Sequence, residues 1–216
     1  MRGKLKSPLR TISNSGEHPR FIGNFPCTKA AGTYLPFDSM SSLMCGIWLE
    51  WRTDIVKIEF EPVKYQFEAT DTLPALVLIP DYVCVMDTGE IRLVEAKYSQ
   101  LELRSKDLEK LVWAEAHFRS AGLVYEVAYR RTLEMSGLIQ TIVLLRPYGQ
   151  LSNSTQVLER AMERLKSFEP ETLTGWRANA QKVSVPTGVL YQLLYQQRLV
   201  FMPEPLTIME LRQWQD

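Results

Sequence analysis

Asp81, Glu95 and Lys97 fall in a stretch, Ile79 to Lys97 (IPDYVCVMDTGEIRLVEAK), that otherwise reads as two apolar strands. Val83 to Met86 stand on one side of Asp87-Thr88-Gly89, and Ile91, Leu93 and Val94 on the other. A short Gly-containing loop between β-rich runs predicts a hairpin. Side chains alternate along a strand, so Glu95 and Lys97 share a face. Asp81, at the start of the partner strand, can converge with them across the hairpin. Charges in such strands are costly unless they pair or hold a cation.

Two carboxylates on adjacent strands offer hard oxygen ligands, and Mg²⁺ is commonly held by one or two carboxylates with waters completing its shell. Such a cation polarises a phosphoryl oxygen and acidifies bound water. Lys97 beside it has two possible roles. A lysine depressed by burial assists deprotonation of an attacking water, and a charged one stabilises a pentacovalent phosphate. The set suits phosphodiester hydrolysis. The bland alternative is an edge hairpin carrying a surface Glu–Lys pair, which contributes little.

The rest of the chain must position these residues. Its 216 residues have room for a core-bearing domain and a smaller unit. The 25 basic and 25 acidic residues cancel, which argues against a histone-like binder and leaves room for a local basic patch. Three cysteines without CxxC spacing and two histidines argue against a disulfide framework or a zinc site, so a reducing cytoplasm is expected. No apolar run predicts a membrane span or a secretory signal.

Residues 1–24 read as a basic flexible arm, with Arg2, Lys4, Lys6, Arg10 and Arg20 against Glu17 alone. Phe25 to Phe37 is a connector or short hairpin. Asp38 or Ser39 caps a first helix to about Trp51, packing Leu43, Met44, Ile47 and Trp48 on the sheet. Strands follow at Ile55–Phe60 and Val63–Phe67, then the hairpin over Leu76–Tyr98, a helix over Asp107–Ala121 with Leu108, Leu111, Val112 and Phe118 on its faces, and a strand at Leu123–Tyr129. This order predicts an α/β domain, a mixed sheet with a helix on each face, spanning 25–148. Pro147-Tyr148-Gly149 should break the apolar run Leu138–Leu145. Helices at Thr155–Phe168 and Val189–Arg198, then a hairpin across Pro203–Pro205, suggest a small winged-helix-like α+β domain over 149–216.

Pro80-Asp81 followed by Glu95-Ala96-Lys97 resembles the PD-(D/E)xK nuclease superfamily, whose fold is restriction-endonuclease-like. Phe25-Pro26-Cys27-Thr28-Lys29, Phe37-Asp38-Ser39, Leu49-Glu50-Trp51 and Val56…Glu61-Pro62 resemble the layout of the TnsA family, the endonuclease subunit of heteromeric cut-and-paste transposases. The resemblance covers residues 20–216 and is strongest up to Arg131. It implies Mg²⁺-dependent cleavage (Mn²⁺ substituting) of the non-transferred strand at the 5′ ends of the element. It also implies double-stranded transposon-end DNA, an integrase-type transposase subunit and an ATPase regulator as partners, in a bacterial, nucleoid-associated setting without a membrane. Asp81 and Glu95 would be the metal ligands and Lys97 the catalytic lysine.

One position departs from the family. A first-helix glutamate, three residues after a serine resembling Ser39, is here Ser42. Glu50 lies eight residues further, about 12 Å along a helix, and substitutes poorly. Three outcomes are open: a one-metal nuclease, one borrowing an acid such as Glu61, or a weakened DNA-binding and assembly subunit. A defence or repair nuclease with the same core is a further alternative. Elsewhere, Trp48, Trp51 and Trp113 read as packing residues, Cys45 and Cys84 as small hydrophobes, and His117 as a surface or half-buried histidine. Arg104, Lys106, Arg130 and Arg131 are candidate phosphate contacts or solvated charges.

Overall fold

A computed structural model describes residues 21–169 and 171–204. The chain divides into two units between Arg131 and Thr132. Residues 1–20 of the basic arm and Leu206–Ile208 of the expected second hairpin lie outside the described residues, and the last arm residues, Gly23 and Asn24, are instead part of a strand.

The first unit opens with a hairpin, β1 (Gly23–Pro26) and β2 (Tyr34–Phe37). Helix α1 (Met40–Trp51) follows, with Ser39 as its N-cap. Its cap is reciprocal. Ser39 Oγ accepts from Ser42 N–H at 3.0 Å, and Ser42 Oγ accepts from Ser39 N–H at 3.0 Å. This is a capping box with serine in the place usually held by Glu or Gln.

The central sheet runs in the order β3 (Ile55–Phe60), β6 (Tyr82–Met86), β7 (Ile91–Lys97), β8 (Val124–Tyr129). The first two pairings are antiparallel and the last is parallel, so the sheet is mixed as the element order predicts. Gly89, with φ at +85°, turns the chain between β6 and β7, a conformation that costs glycine nothing. A second hairpin, β4 (Tyr65–Phe67) with β5 (Leu76–Leu78), interrupts the chain before β6. The expected single strand from Leu76 to Met86 is thus two strands, broken at Ile79-Pro80-Asp81.

Helices cover both faces. Tyr82 donates its hydroxyl to Ser42 O at 2.6 Å, which fixes α1 over the face carrying Tyr82 and its register partner Val94. On the other face Leu93 joins Leu76, Leu78, Ala114 and Phe118 in a buried cluster beneath α2 (Ser105–Ser120). Both helices bury only part of the expected faces, Ile47 in α1 and Phe118 in α2. In α1 the buried residues are Ser42, Cys45, Gly46, Ile47, Leu49 and Glu50, whereas Leu43, Met44 and Trp48 are half-buried. Small side chains let α1 approach closely, and the large apolar ones are left at its flanks. In α2, Ala114, His117 and Phe118 are buried and Val112 is exposed. His117 is therefore a core residue, stacked on Phe67 with Nε2 2.8 Å from Pro74 O.

A short helix, α3 (Arg130–Met135), follows β8. The second unit contains α4 (Leu138–Gly149), α5 (Thr155–Leu165), α6 (Leu173–Lys182) and α7 (Thr187–Tyr195). The boundary thus lies before α4 and not at residue 148. Ile139, Ile142, Leu144 and Leu145 are buried, Tyr148 meets Tyr191 edge to face, and Gly149 abuts the Tyr195 ring. Pro147 does not end α4 as expected, because it sits in the last turn, where few backbone bonds remain to lose. Glu171 and Phe201 form a single parallel bridge. No helix among the described residues is long and apolar enough to cross a membrane.

Candidate active site

Alternation along β7 decides which face carries the chemistry. Glu95 and Lys97 follow Leu93 at intervals of two and so share the α2 face. Asp81, one residue before Tyr82, points the same way. Asp81 Oδ2 accepts the Ala96 N–H at 2.7 Å, fastening the start of β6 to the end of β7. Lys97 Nζ donates to Glu95 Oε1 at 2.6 Å. All three line a cleft of about 460 Å³, together with Asp38, Glu61 and Lys110. The structure thus brings together the three residues singled out from sequence. An adjoining cavity of about 290 Å³ shares Glu95, Lys97 and Lys110 and extends beneath α2 to Leu103 and Leu111.

Burial and charge set the protonation pattern. Asp81 is pushed up to about 8, chiefly by burial and then by the Glu95 charge, against the opposing pull of the Ala96 N–H and Lys97. Asp38 adds a further push in the same direction. For Lys97 burial is the largest single influence and pulls downward. The Glu95 charge and hydrogen bond, with Asp81 behind them, outweigh it, so its ammonium lies above the usual lysine range. Of the two roles open to Lys97, the fixed cation fits and the neutral base does not.

Glu95 is nearly buried, and its second oxygen, Oε2, has no hydrogen-bond partner among the described residues. An unmet buried carboxylate oxygen costs on the order of 1–3 kcal/mol or more. A divalent cation would relieve both anomalies. It would give Oε2 a partner and favour the ionised form of Asp81. Among the described residues no three carboxylate, imidazole or thiol groups form a metal cage. Asp81 and Glu95 are hard oxygen donors, which with water suit Mg²⁺ or Mn²⁺ better than zinc.

Ser42 is fully buried, and its hydroxyl oxygen receives the N–H groups of both Asp38 (3.1 Å) and Ser39 (3.0 Å). Its own proton is within reach of Asp38 Oδ1 (3.2 Å) and Ser39 O (2.9 Å). Glu50 is committed elsewhere, with Oε1 accepting Thr28 N–H at 2.8 Å. Glu61 is buried on the cleft wall with φ at +42°, a conformation rarely adopted by a residue with a Cβ. Its N–H donates to Asp81 O at 2.9 Å, so the strained residue directly braces Asp81.

The candidate phosphate contacts are largely spoken for. Arg104 pairs with Asp107 at 2.8 Å, Arg131 with Glu102 at 3.3 Å, and Arg130 lies over the Tyr98 ring. Among the described residues, Lys110, exposed on α2, joins Lys97 in lining the cleft, although it was not among the candidates read from sequence. Among known proteins, no family model matches this chain and no curated sequence matches it.

Proposed function

We propose that the protein is a metal-dependent DNA endonuclease of the PD-(D/E)xK type, acting as the TnsA-like subunit of a cut-and-paste transposase. The observation that carries this reading is the convergence of Asp81, Glu95 and Lys97 in one cleft, with Glu95 Oε2 buried and unpartnered. Asp81 and Glu95 would hold Mg²⁺, which when bound supplies Lewis-acid activation of the scissile phosphate and of water. Lys97, fixed by Glu95, places a permanent positive charge where the phosphoryl oxygens gain negative charge. The buried walls behind Asp81 and Glu95 keep that charge in a low-dielectric setting, where it acts more strongly than in water. Lys110 at the mouth would draw in the phosphate backbone. The strand assigned for cutting, at the 5′ ends of the element, and the integrase-type partner rest on the resemblance of the quoted motifs.

The second reading, an assembly subunit whose chemistry has weakened, rests on Ser42. Its hydroxyl is occupied in the α1 cap and offers no charge to the cleft. In the second unit, α6 and α7 are joined by a four-residue turn, the spacing of a helix-turn-helix. Yet Val189 to Leu194 of α7 are all buried, with Gln192 bonded to Asn153 and Leu151 O. That helix is not available to enter a DNA groove as the unit stands.

Cleavage of a transposon-end substrate, with Mg²⁺ or Mn²⁺ and with the transposase partner present, tests the enzymatic reading. Wild type should cut in a metal-dependent manner, and Lys97→Ala should lose about two to three orders of magnitude, the scale of removing one preorganised charge donor. Equal activity of the two proteins in that reconstituted reaction would refute it.

A further inference from the structure

We propose that Asp38, held at the cleft by the buried Ser42 hydroxyl, is a positioning carboxylate beside the cation site, acting through the water shell of a cation held by Asp81 and Glu95. The inference rests on the endonuclease reading and adds a residue to it.

Asp38 is the residue before the N-cap, and its position is fixed from three directions. Its N–H donates to Ser42 Oγ at 3.1 Å, Ser42 Oγ lies 3.2 Å from Asp38 Oδ1, and the β2 strand ends immediately before it at Phe37. Ser42 is itself immobilised, because Tyr82 from the sheet donates to its carbonyl at 2.6 Å. The serine therefore does more than leave a glutamate missing. Its short hydroxyl folds back to the N-terminus of α1 and anchors a carboxylate from the preceding residue, which lines the same cleft as Asp81 and Glu95.

A second observation points to a ligand there. Glu95 lines the cleft, is only 7% exposed and has an oxygen without a hydrogen-bond partner. Lys97 occupies the other oxygen of Glu95. Asp38 and Asp81 are two carboxylates on one cleft wall, where like charges repel. A cation between them would turn that repulsion into attraction. Since no three such groups form a ready cage, Asp38 acts at one remove, orienting the water shell and adding charge. Partners of that kind typically change metal affinity by about 10–100-fold.

The test is Mn²⁺ titration of the full chain, with and without a DNA duplex, read by the loss of free-Mn²⁺ electron paramagnetic resonance signal. Wild type should bind, Asp81→Asn should abolish binding, and Asp38→Asn should weaken it about tenfold or more. Ser42→Ala, which keeps the charge and removes its anchor, should weaken binding less than Asp38→Asn does. Circular dichroism melts establish that each variant is folded. If Asp38→Asn binds as wild type does while Asp81→Asn does not bind, the Asp38 assignment is wrong and the endonuclease reading stands. If wild type takes up no Mn²⁺ under either condition, the endonuclease reading fails and this inference fails with it.

Discussion

Asp81→Asn should stabilise the metal-free protein at neutral and alkaline pH while abolishing the proposed cleavage. The asparagine oxygen can still accept the Ala96 N–H, so the link between β6 and β7 survives and only the charge is lost. Asp81 rises from 3.8 to about 8 on folding, which corresponds to roughly 6 kcal/mol as a ceiling. Relaxation and water entry reduce this for buried groups, and about 2–3 kcal/mol is a reasonable expectation. For a carboxyl whose pKa is raised on folding, the native state keeps a proton that the unfolded chain has released. The unfolded chain then binds fewer protons, so stability falls as pH rises. The loss should begin near the unfolded value, about pH 4, and level off above about pH 8.

Thermal melts in EDTA across that window measure the effect. The melting temperature of Asp81→Asn should rise above that of wild type as pH increases, by about 10 °C at the alkaline end, at roughly 4 °C per kcal/mol for a unit of this size. Near pH 4 the two should coincide. Added Mg²⁺ should raise wild type and leave the variant unchanged, because binding to the native state alone stabilises it. Near pH 7 that binding should release close to one proton, readable by calorimetry in buffers of different ionisation enthalpy. A variant that is less stable than wild type at pH 8, or a pH-independent difference, would refute the account of Asp81.

Two further expectations follow from other parts of the molecule. Lys110→Ala, measured in Ca²⁺ to prevent cutting, should weaken DNA binding and reduce the slope of log affinity against log salt by about one, as losing a single phosphate contact predicts. A Cβ at Gly149 would lie 2.0 Å from the Tyr195 ring. Alanine there gains up to about 1 kcal/mol in helix propensity, but overpacking costs about 1–3 kcal/mol. Gly149→Ala should therefore lower the denaturant midpoint of the second unit, with no change in the pH response of Asp81.

The central hairpin was legible because each of its signals is local. Alternation placed Glu95 with Lys97, and Asp87-Thr88-Gly89 marked the turn that Gly89 makes with positive φ. Helix α6 escaped because the apolar stripe of LTGWRANAQK is only three residues long, Leu173, Trp176 and Ala180. It is held by the Thr172 cap and by Trp176, buried with its indole N–H on Val200 O. The apolar run Leu138–Leu145 could be read as helix or strand, and only its packing against α7 assigns it to the second unit. In the site, Asp81, Glu95 and Lys97 were visible because two adjacent strands carry them. Asp38 and Lys110 were not, because they arrive from the N-terminus of α1 and the middle of α2. Their meeting depends on tertiary packing that spacing does not encode. The Ser42 departure was legible as a missing charge, whereas its role in holding Asp38 required the three-dimensional cap.

The charges around the cleft lead to a consequence for how DNA engages it. Four carboxylates, Asp38, Glu61, Asp81 and Glu95, face two ammonium groups, Lys97 and Lys110, so the wall carries a formal charge of −2 with every acid ionised. A proton on Asp81 leaves −1, still the wrong sign for a phosphodiester. The chain as a whole is neutral, so no general field compensates. A divalent cation brings the ionised wall to zero and leaves Lys97 and Lys110 free to act on phosphate. Cation and DNA should therefore bind cooperatively at this cleft, and by reciprocity DNA must raise cation affinity by the same factor as the cation raises that of DNA. Such coupling confines a reactive site to moments when both are present. Lysines alone would have given a cleft that attracts any nucleic acid, whereas on the endonuclease reading this one should repel it until a metal arrives.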